Sequence, residues 1–230
     1  MNGLIHSSLY FGMLVSVGAY MLGVWLKKKT GWAILNPLLV AIIVVIAFLS
    51  VFHIEYKEYN RGAVYLGYFL TPATVCLAIP LYKQLELLRQ HLIAVVSAIV
   101  AGVAGSVGSI YVMCRFFQLE HTHYVTLLPK SITTAIGMGV SEEAGGIVTL
   151  TVISIIITGI LGNIIADWLF QIFKIEEPIA KGLALGTAAH AIGTAKALEL
   201  GEIEGAMSSL SIAVAGLLTV VVVPLMSGLI

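Results

Sequence analysis

Charge is what this sequence has least of. Its 230 residues hold twelve Lys and Arg against twelve Asp and Glu, only 10% charged and with zero net charge. A soluble domain carries about 25% charged residues, and a water-facing surface cannot be made from so few. The basic footprint of a nucleic-acid-binding protein is missing too, so no nucleic-acid partner is expected. Cysteine is scarce: Cys76 and Cys114 stand alone in apolar runs. That argues against a disulfide framework or a CxxC metal site and leaves each as a small core residue. There is no GxSxG elbow, HExxH helix, Walker A loop or Rossmann glycine pattern. Neither an enzyme nor a bound cofactor or metal is expected. No Lys or Arg precedes the first apolar run, whereas Lys27-Lys28-Lys29 follows it, the charge order of a retained anchor rather than a cleaved signal.

What is there is apolar. Hydrophobic residues make up 59% and the mean hydropathy is +1.03, so lipid must be the outer solvent. The expected fold is an all-α polytopic membrane protein with about seven to eight hydrophobic segments. Leu4–Leu26, Leu92–Cys114, Gly145–Ala166 and Gly205–Ile230 are long enough to cross. Leu35–Phe52 is shorter and opens on Asn36-Pro37, a cap followed by a first-turn proline.

Three other segments are interrupted. Gly62–Tyr82 carries Thr71-Pro72 and Pro80, and Tyr124–Val140 carries Leu128-Pro129-Lys130 before Ser131, Thr133 and Thr134. Ile179–Leu200 holds Lys181, Gly186, Thr187, His190, Gly193, Thr194 and Lys196. Proline and glycine free or weaken backbone hydrogen bonds. Broken backbone at membrane depth must face protein or a water-filled cavity, so these segments should carry the function.

The lysines of the first loop place it in the cytoplasm. The remaining Lys and Glu loops then obey the same rule best with seven crossings and a re-entrant Tyr124–Val140. Residues 35–114 and 145–230 become an expected inverted repeat within one domain spanning 1–230, each half with an interrupted middle segment. Arg61-Gly62 and Leu66-Gly67 match Lys181-Gly182 and Leu185-Gly186. Interrupted helices in corresponding positions are the architecture of secondary transporters.

Lys130, Ser131, Thr133 and Thr134 form the first candidate cluster for an anion, because a mid-membrane charge is costly and marks a site or a buried partner. The N–H groups after Pro129 would add to it; pairing of Lys130 with Glu142 or Glu143 is the structural alternative. Thr187, His190 and Thr194 share one face if the helix is continuous, and with Lys196 that face could hold an anion or relay a proton. A histidine hydrogen-bonded within the bundle is the bland reading. Thr71 and Thr74 could lend hydroxyls to the same cavity. Glu142, Glu143 and Asp167 are candidates for ion coupling, although Asp167 beside Trp168 also suits an interface. His121 and His123 lack a third metal ligand nearby. Gly102, Gly105 and Gly108 with Ser106 and Ser109 give the small-residue spacing of close helix packing.

The broken segments resemble the LrgB/CidB family of bacterial membrane proteins over nearly the whole chain. The resemblance runs through Asn36-Pro37-Leu38-Leu39, Thr71-Pro72-Ala73-Thr74, Leu128-Pro129-Lys130-Ser131 and Gly139-Val140-Ser141-Glu142-Glu143. It continues in Lys181-Gly182-Leu183-Ala184-Leu185-Gly186-Thr187, His190-Ala191-Ile192-Gly193-Thr194 and Glu204-Gly205-Ala206. Ala135, Ala189 and Lys196 depart from the Pro, Ser and Arg usual in the family; lysine replaces a bidentate carboxylate binder with a point charge.

The resemblance implies two functions. One is an antiholin-like regulator of murein hydrolase activity, export and lysis, working beside a small LrgA/CidA-like membrane protein. The other is a carrier of small carboxylates: a plastid relative moves glycolate and glycerate, and bacterial pairs are linked to pyruvate uptake. With no LrgA-like half before Met1, the partner is expected to be separately encoded. The polar groups in broken segments favour the carrier, of small 2-oxo or 2-hydroxy monocarboxylates with proton coupling. The expected setting is the bacterial inner membrane, where the glycine-rich helix faces suit a homodimer.

Overall fold

The computed structural model describes residues 10–32, 35–76 and 78–230, without the side chains of residues 70, 71, 74, 80 and 81. Among these residues every regular element is an α-helix, as an apolar chain must satisfy its backbone internally when no water can. Two compact units divide the chain, Met1–Cys76 and Leu77–Ile230.

The first unit contains α1 (Phe11–Thr30), α2 (Pro37–Val51), α3 (Tyr56–Gly67) and α4 (Leu70–Cys76). The opening of the first apolar run, residues 4–9, lies outside the described residues. Asn36 caps α2 as its sequence suggests: its Oδ1 accepts from the N–H groups of Leu38 at 2.9 Å and Leu39 at 3.3 Å, and Pro37 occupies the first turn. The interrupted run through Thr71-Pro72 is split between α3 and α4, and the chain re-enters helix beyond Cys76. Ser16 and Tyr59 join α1 to α3 by hydroxyls 2.7 Å apart.

The second unit begins with the short helices α5 (Ala78–Lys83) and α6 (Leu85–Gln90), followed by α7 (Leu92–Phe116), α8 (His121–Leu127) and α9 (Thr134–Glu143). It ends with α10 (Val148–Ile172), α11 (Pro178–Leu200) and α12 (Glu202–Ser227). Helices α7, α10 and α12 are long and apolar enough to cross a membrane. Each buries less than half of its most apolar stretch within the protein. Ile93, Leu217 and Leu225 remain 87%, 72% and 75% exposed, an outward apolar surface suited to lipid. The protein is a polytopic helical membrane protein.

The α8–α9 segment folds back on itself. Thr151, at the start of α10, donates to the Thr126 carbonyl at 2.9 Å and lies 2.6 Å from the Ser141 hydroxyl. Fifteen residues (141 − 126) of straight helix would hold those partners about 22 Å apart. At the far end of the unit's last helix, Met226 accepts from the Tyr124 hydroxyl at 3.0 Å. The chain therefore enters beside the end of α7, turns at residues 128–133, and leaves on the same side. This is the re-entrant path expected for Tyr124–Val140.

The α11 segment was expected to cross and does not. At His190 the backbone takes φ 43° and ψ −134°, and the helix reverses. A methyl group on Gly193 would meet the Leu185 carbonyl carbon at 3.1 Å, although eight residues (193 − 185) of helix span about 12 Å. The packing on α12 agrees. Gly182 lies against Glu204 and Met207, and Gly186 against Ser208 and Ser211, so residues 178–189 run parallel to α12. Thr194 meets Ser208 and Leu198 meets Gly205, so residues 191–200 run antiparallel to it. Among the described residues, the second unit thus has three helices long enough to cross and two hairpins, which enter from opposite sides.

Three helices end on one repeated device. Phe52-His53-Ile54-Glu55, Phe117-Gln118-Leu119-Glu120 and Phe173-Lys174-Ile175-Glu176 follow α2, α7 and α10. Their second residues are left-handed, at φ 50°, 53° and 50°. The N–H of the third residue reaches back to Leu49, Cys114 or Phe170 at 2.9, 2.9 and 2.8 Å, the pattern of a Schellman cap. A left-handed non-glycine residue costs about 1–2 kcal/mol, so this sharp exit is kept against an intrinsic penalty each time.

Candidate functional site

The two hairpin tips come together on the middle of α7. Ser106 donates to the Ser131 hydroxyl at 2.9 Å, fixing the first tip. One helical turn earlier, a methyl group on Gly102 would touch Thr187 Oγ1 at 2.9 Å, so the absence of a side chain seats the second hairpin close to its tip. Between them lies a cavity of about 680 Å³. Its walls are the small-residue face of α7 (Gly102, Gly105, Ser106, Ser109), Lys130 and Ser131, Thr158 and Gly162 of α10, and Thr187 and Ala188 of α11.

Lys130 is the charged residue in this lining. Its ammonium donates to the Ser131 hydroxyl at 3.0 Å. Ser131 thereby accepts from both Lys130 and Ser106, which leaves its own proton to donate elsewhere. Among the described residues, no carboxylate pairs with Lys130: Glu142 and Glu143 are exposed at the far end of α9. The backbone after Pro129 contributes less than its sequence suggests. The N–H of Lys130 turns back to Leu127 at 3.1 Å and that of Ile132 to Pro129 at 3.4 Å. Thr133 precedes α9 and Thr134 opens it, next to the tip but outside the cavity lining.

The second expected cluster separates. Thr187 lines the cavity, with its hydroxyl donating to the Leu183 carbonyl at 2.7 Å. His190 faces α10 instead, where its Nε2 lies 2.9 Å from the Ile155 carbonyl, and Gly159 gives its ring room. Thr194 is buried against Ser208 at 2.7 Å. The shared face required a continuous helix, and the reversal at His190 removes it. Lys196 and Asp167 neutralise one another at 2.7 Å, tying the returning arm of the second hairpin to α10. Thr71 and Thr74 lie on α4 in the first unit, and their side chains fall outside the described residues. Among the described residues no group of three possible metal ligands occurs.

Reading the sequence for packing alone missed Ser106, Ser109 and Thr158. The signal available was the overlap of serine with glycine on one face of α7, which supplies hydroxyls as well as close approach. The result is a site with one cation, several hydroxyls and apolar walls, suited to a small anion bearing a hydrogen-bonding substituent.

Residues 16–229 match the model of the LrgB-like family. The chain is 41% identical over 217 residues to Antiholin-like protein LrgB of Bacillus mycoides (strain KBAB4), covering 94% of each chain. It is 39% identical over 216 residues to the protein of the same name from Bacillus subtilis (strain 168), again over 94% of each. No solved structure matches it. With the family model and these relatives covering nearly its whole length, the chain belongs to the LrgB-like family.

Proposed function

We propose that this protein is a secondary transporter of small 2-oxo or 2-hydroxy monocarboxylates, of the pyruvate, glycolate or glycerate kind, coupled to protons. The observation that carries this reading is the meeting of two oppositely entering hairpins beside Lys130. Discontinuous helices that converge near the membrane centre are how carriers build a binding site accessible in turn from each side. Lys130 would bind the carboxylate and Ser131 would donate its proton to it, while Ser106 and Thr187, whose protons go to Ser131 and the Leu183 carbonyl, would accept from a 2-hydroxyl. The substrate would be released unchanged, since this is transport and not catalysis. A small LrgA-like membrane protein is a fitting partner, the bacterial inner membrane the fitting location, and a homodimer the fitting assembly. The wider inverted repeat of 35–114 against 145–230 belongs to the same proposal.

A second reading is an antiholin-like regulator of murein hydrolase activity and lysis that transports nothing. The names of the relatives favour it directly. The two readings separate in proteoliposomes given radiolabelled pyruvate or glycolate, with and without a pH gradient. Saturable uptake that Lys130→Ala abolishes, in a variant that stays folded, supports the carrier. Absence of uptake by folded wild-type protein, even with its LrgA-like partner, refutes the carrier for these substrates and leaves the regulator.

A further inference from the structure

Lys130 and Lys196, both half-buried in the second unit, have opposite electrostatic fates. Lys196 has Asp167 at 2.7 Å, so its charge is cancelled whatever the cavity holds. Among the described residues, Lys130 has the Ser131 hydroxyl at 3.0 Å and no carboxylate partner. The elements around it offer hydroxyls and no charge: Ser106 and Ser109 from α7, Thr158 from α10 and Thr187 from α11. Of the titratable groups on those elements, His190 is close enough for a charge on it to oppose that of Lys130, but its Nε2 is turned to the Ile155 carbonyl. Asp167 is held by Lys196, Arg115 ends α7, and Glu142 and Glu143 end α9. Lys181 and Glu199 stand towards the two ends of α11.

We infer that Lys130 is both the carboxylate-binding group and the proton-coupling group, so that one proton accompanies each monocarboxylate. This rests on the carrier reading above. A site that changes access must pass through a closed state, and an uncompensated ammonium in that state is disfavoured by its lost hydration. Two occupancies avoid it. In one, the ammonium carries a carboxylate and the pair is neutral; in the other, the site is empty and Lys130 is a neutral amine. On the uptake side the amine takes a proton from water and then binds the anion. On the release side the carboxylate leaves first and the ammonium returns its proton to the water there. One proton and one anion move together, no net charge crosses, and no separate acidic residue is needed. Exchange of one carboxylate for another keeps Lys130 protonated throughout and needs no proton movement.

The test uses proteoliposomes with pyruvate as the probe, measuring net uptake, pyruvate–pyruvate exchange and internal pH with a trapped dye. For the wild type, an inward proton gradient should drive net uptake at one proton per pyruvate, unaffected by a clamped membrane potential. Lys130→Arg keeps a cation that does not give up its proton. Relative to whatever exchange it supports, its net gradient-driven uptake should fall tenfold or more. Gradient-driven net uptake by K130R at the wild-type rate would overturn the inference while leaving the carrier intact. If K130R loses exchange too, the wild type decides: uptake that carries net charge, or that takes up no proton, overturns the inference. A wild type without any uptake overturns the carrier reading and this inference with it.

Discussion

Replacing His190 by alanine and by glycine should reverse the order in which those residues normally serve a helix. In a helix interior glycine is about 0.8–1.0 kcal/mol worse than alanine. At φ 43° and ψ −134° the comparison changes, because a β-carbon at such a backbone costs on the order of 1–3 kcal/mol and glycine escapes it. Both variants lose the 2.9 Å contact between His190 and the Ile155 carbonyl, so that loss cancels between them. His190→Gly should therefore be more stable than His190→Ala by about 1–3 kcal/mol, a swing of about 2–4 kcal/mol from ordinary helix behaviour. Thermal unfolding of the two purified variants in the same detergent, followed by the loss of monodisperse protein, gives their order. An alanine variant as stable as the glycine variant would mean that the chain does not reverse at residue 190, and the opposed-hairpin architecture would fall with it.

Two further predictions test the same architecture. In a background lacking Cys76 and Cys114, single cysteines at Glu120 and Glu143 should react with an impermeant thiol reagent from one side of the membrane, and those at Glu176 and Glu202 from the other. Opposite sidedness within either pair would turn that hairpin into a crossing. Gly186→Ala should destabilise the protein by about 1–3 kcal/mol, because its methyl group would collide with the Ser208 carbonyl and the Ser211 hydroxyl of α12. Gly105→Ala has nothing within 4 Å of the new methyl and should be neutral or slightly stabilising, given alanine's better helix propensity. Equal melting of these two variants would refute the packing of residues 178–189 on α12.

Much of this could be seen in the sequence because it follows from single residues and their immediate neighbours. Asn36-Pro37 marks a helix start by local chemistry, and Pro129 marks a break because proline has no N–H to give. The long apolar runs gave α7, α10 and α12 to within a few residues. The fold-back of Tyr124–Val140 followed from charges in distant loops. The reversal at His190 did not, because the alanines beside it favour a continuous helix and the glycines permit one. What decides it is the fit of Gly182 and Gly186 against α12, a long-range contact with no local signature. The consequence for the site was large. Lys130, Ser131 and Thr187 come together, whereas His190, Thr194 and Lys196 are directed into packing and an ion pair. The serines of α7 were visible but ambiguous, since the spacing that lets helices approach is also the spacing that lines a cavity.

The Phe-x-Ile/Leu-Glu exits have a consequence for how such a chain could have grown. In the second unit, α7 and α10 are each a crossing helix that ends on this cap and is followed by a hairpin. Such a module enters on one side and leaves on the other, because its hairpin returns to the side it came from. Tandem copies must therefore alternate in orientation. A duplication of one module would produce two opposed hairpins without any separate event to invert the second copy. The side on which the first copy ends would then set the orientation of the second, so the cap and the hairpin together act as a topology signal.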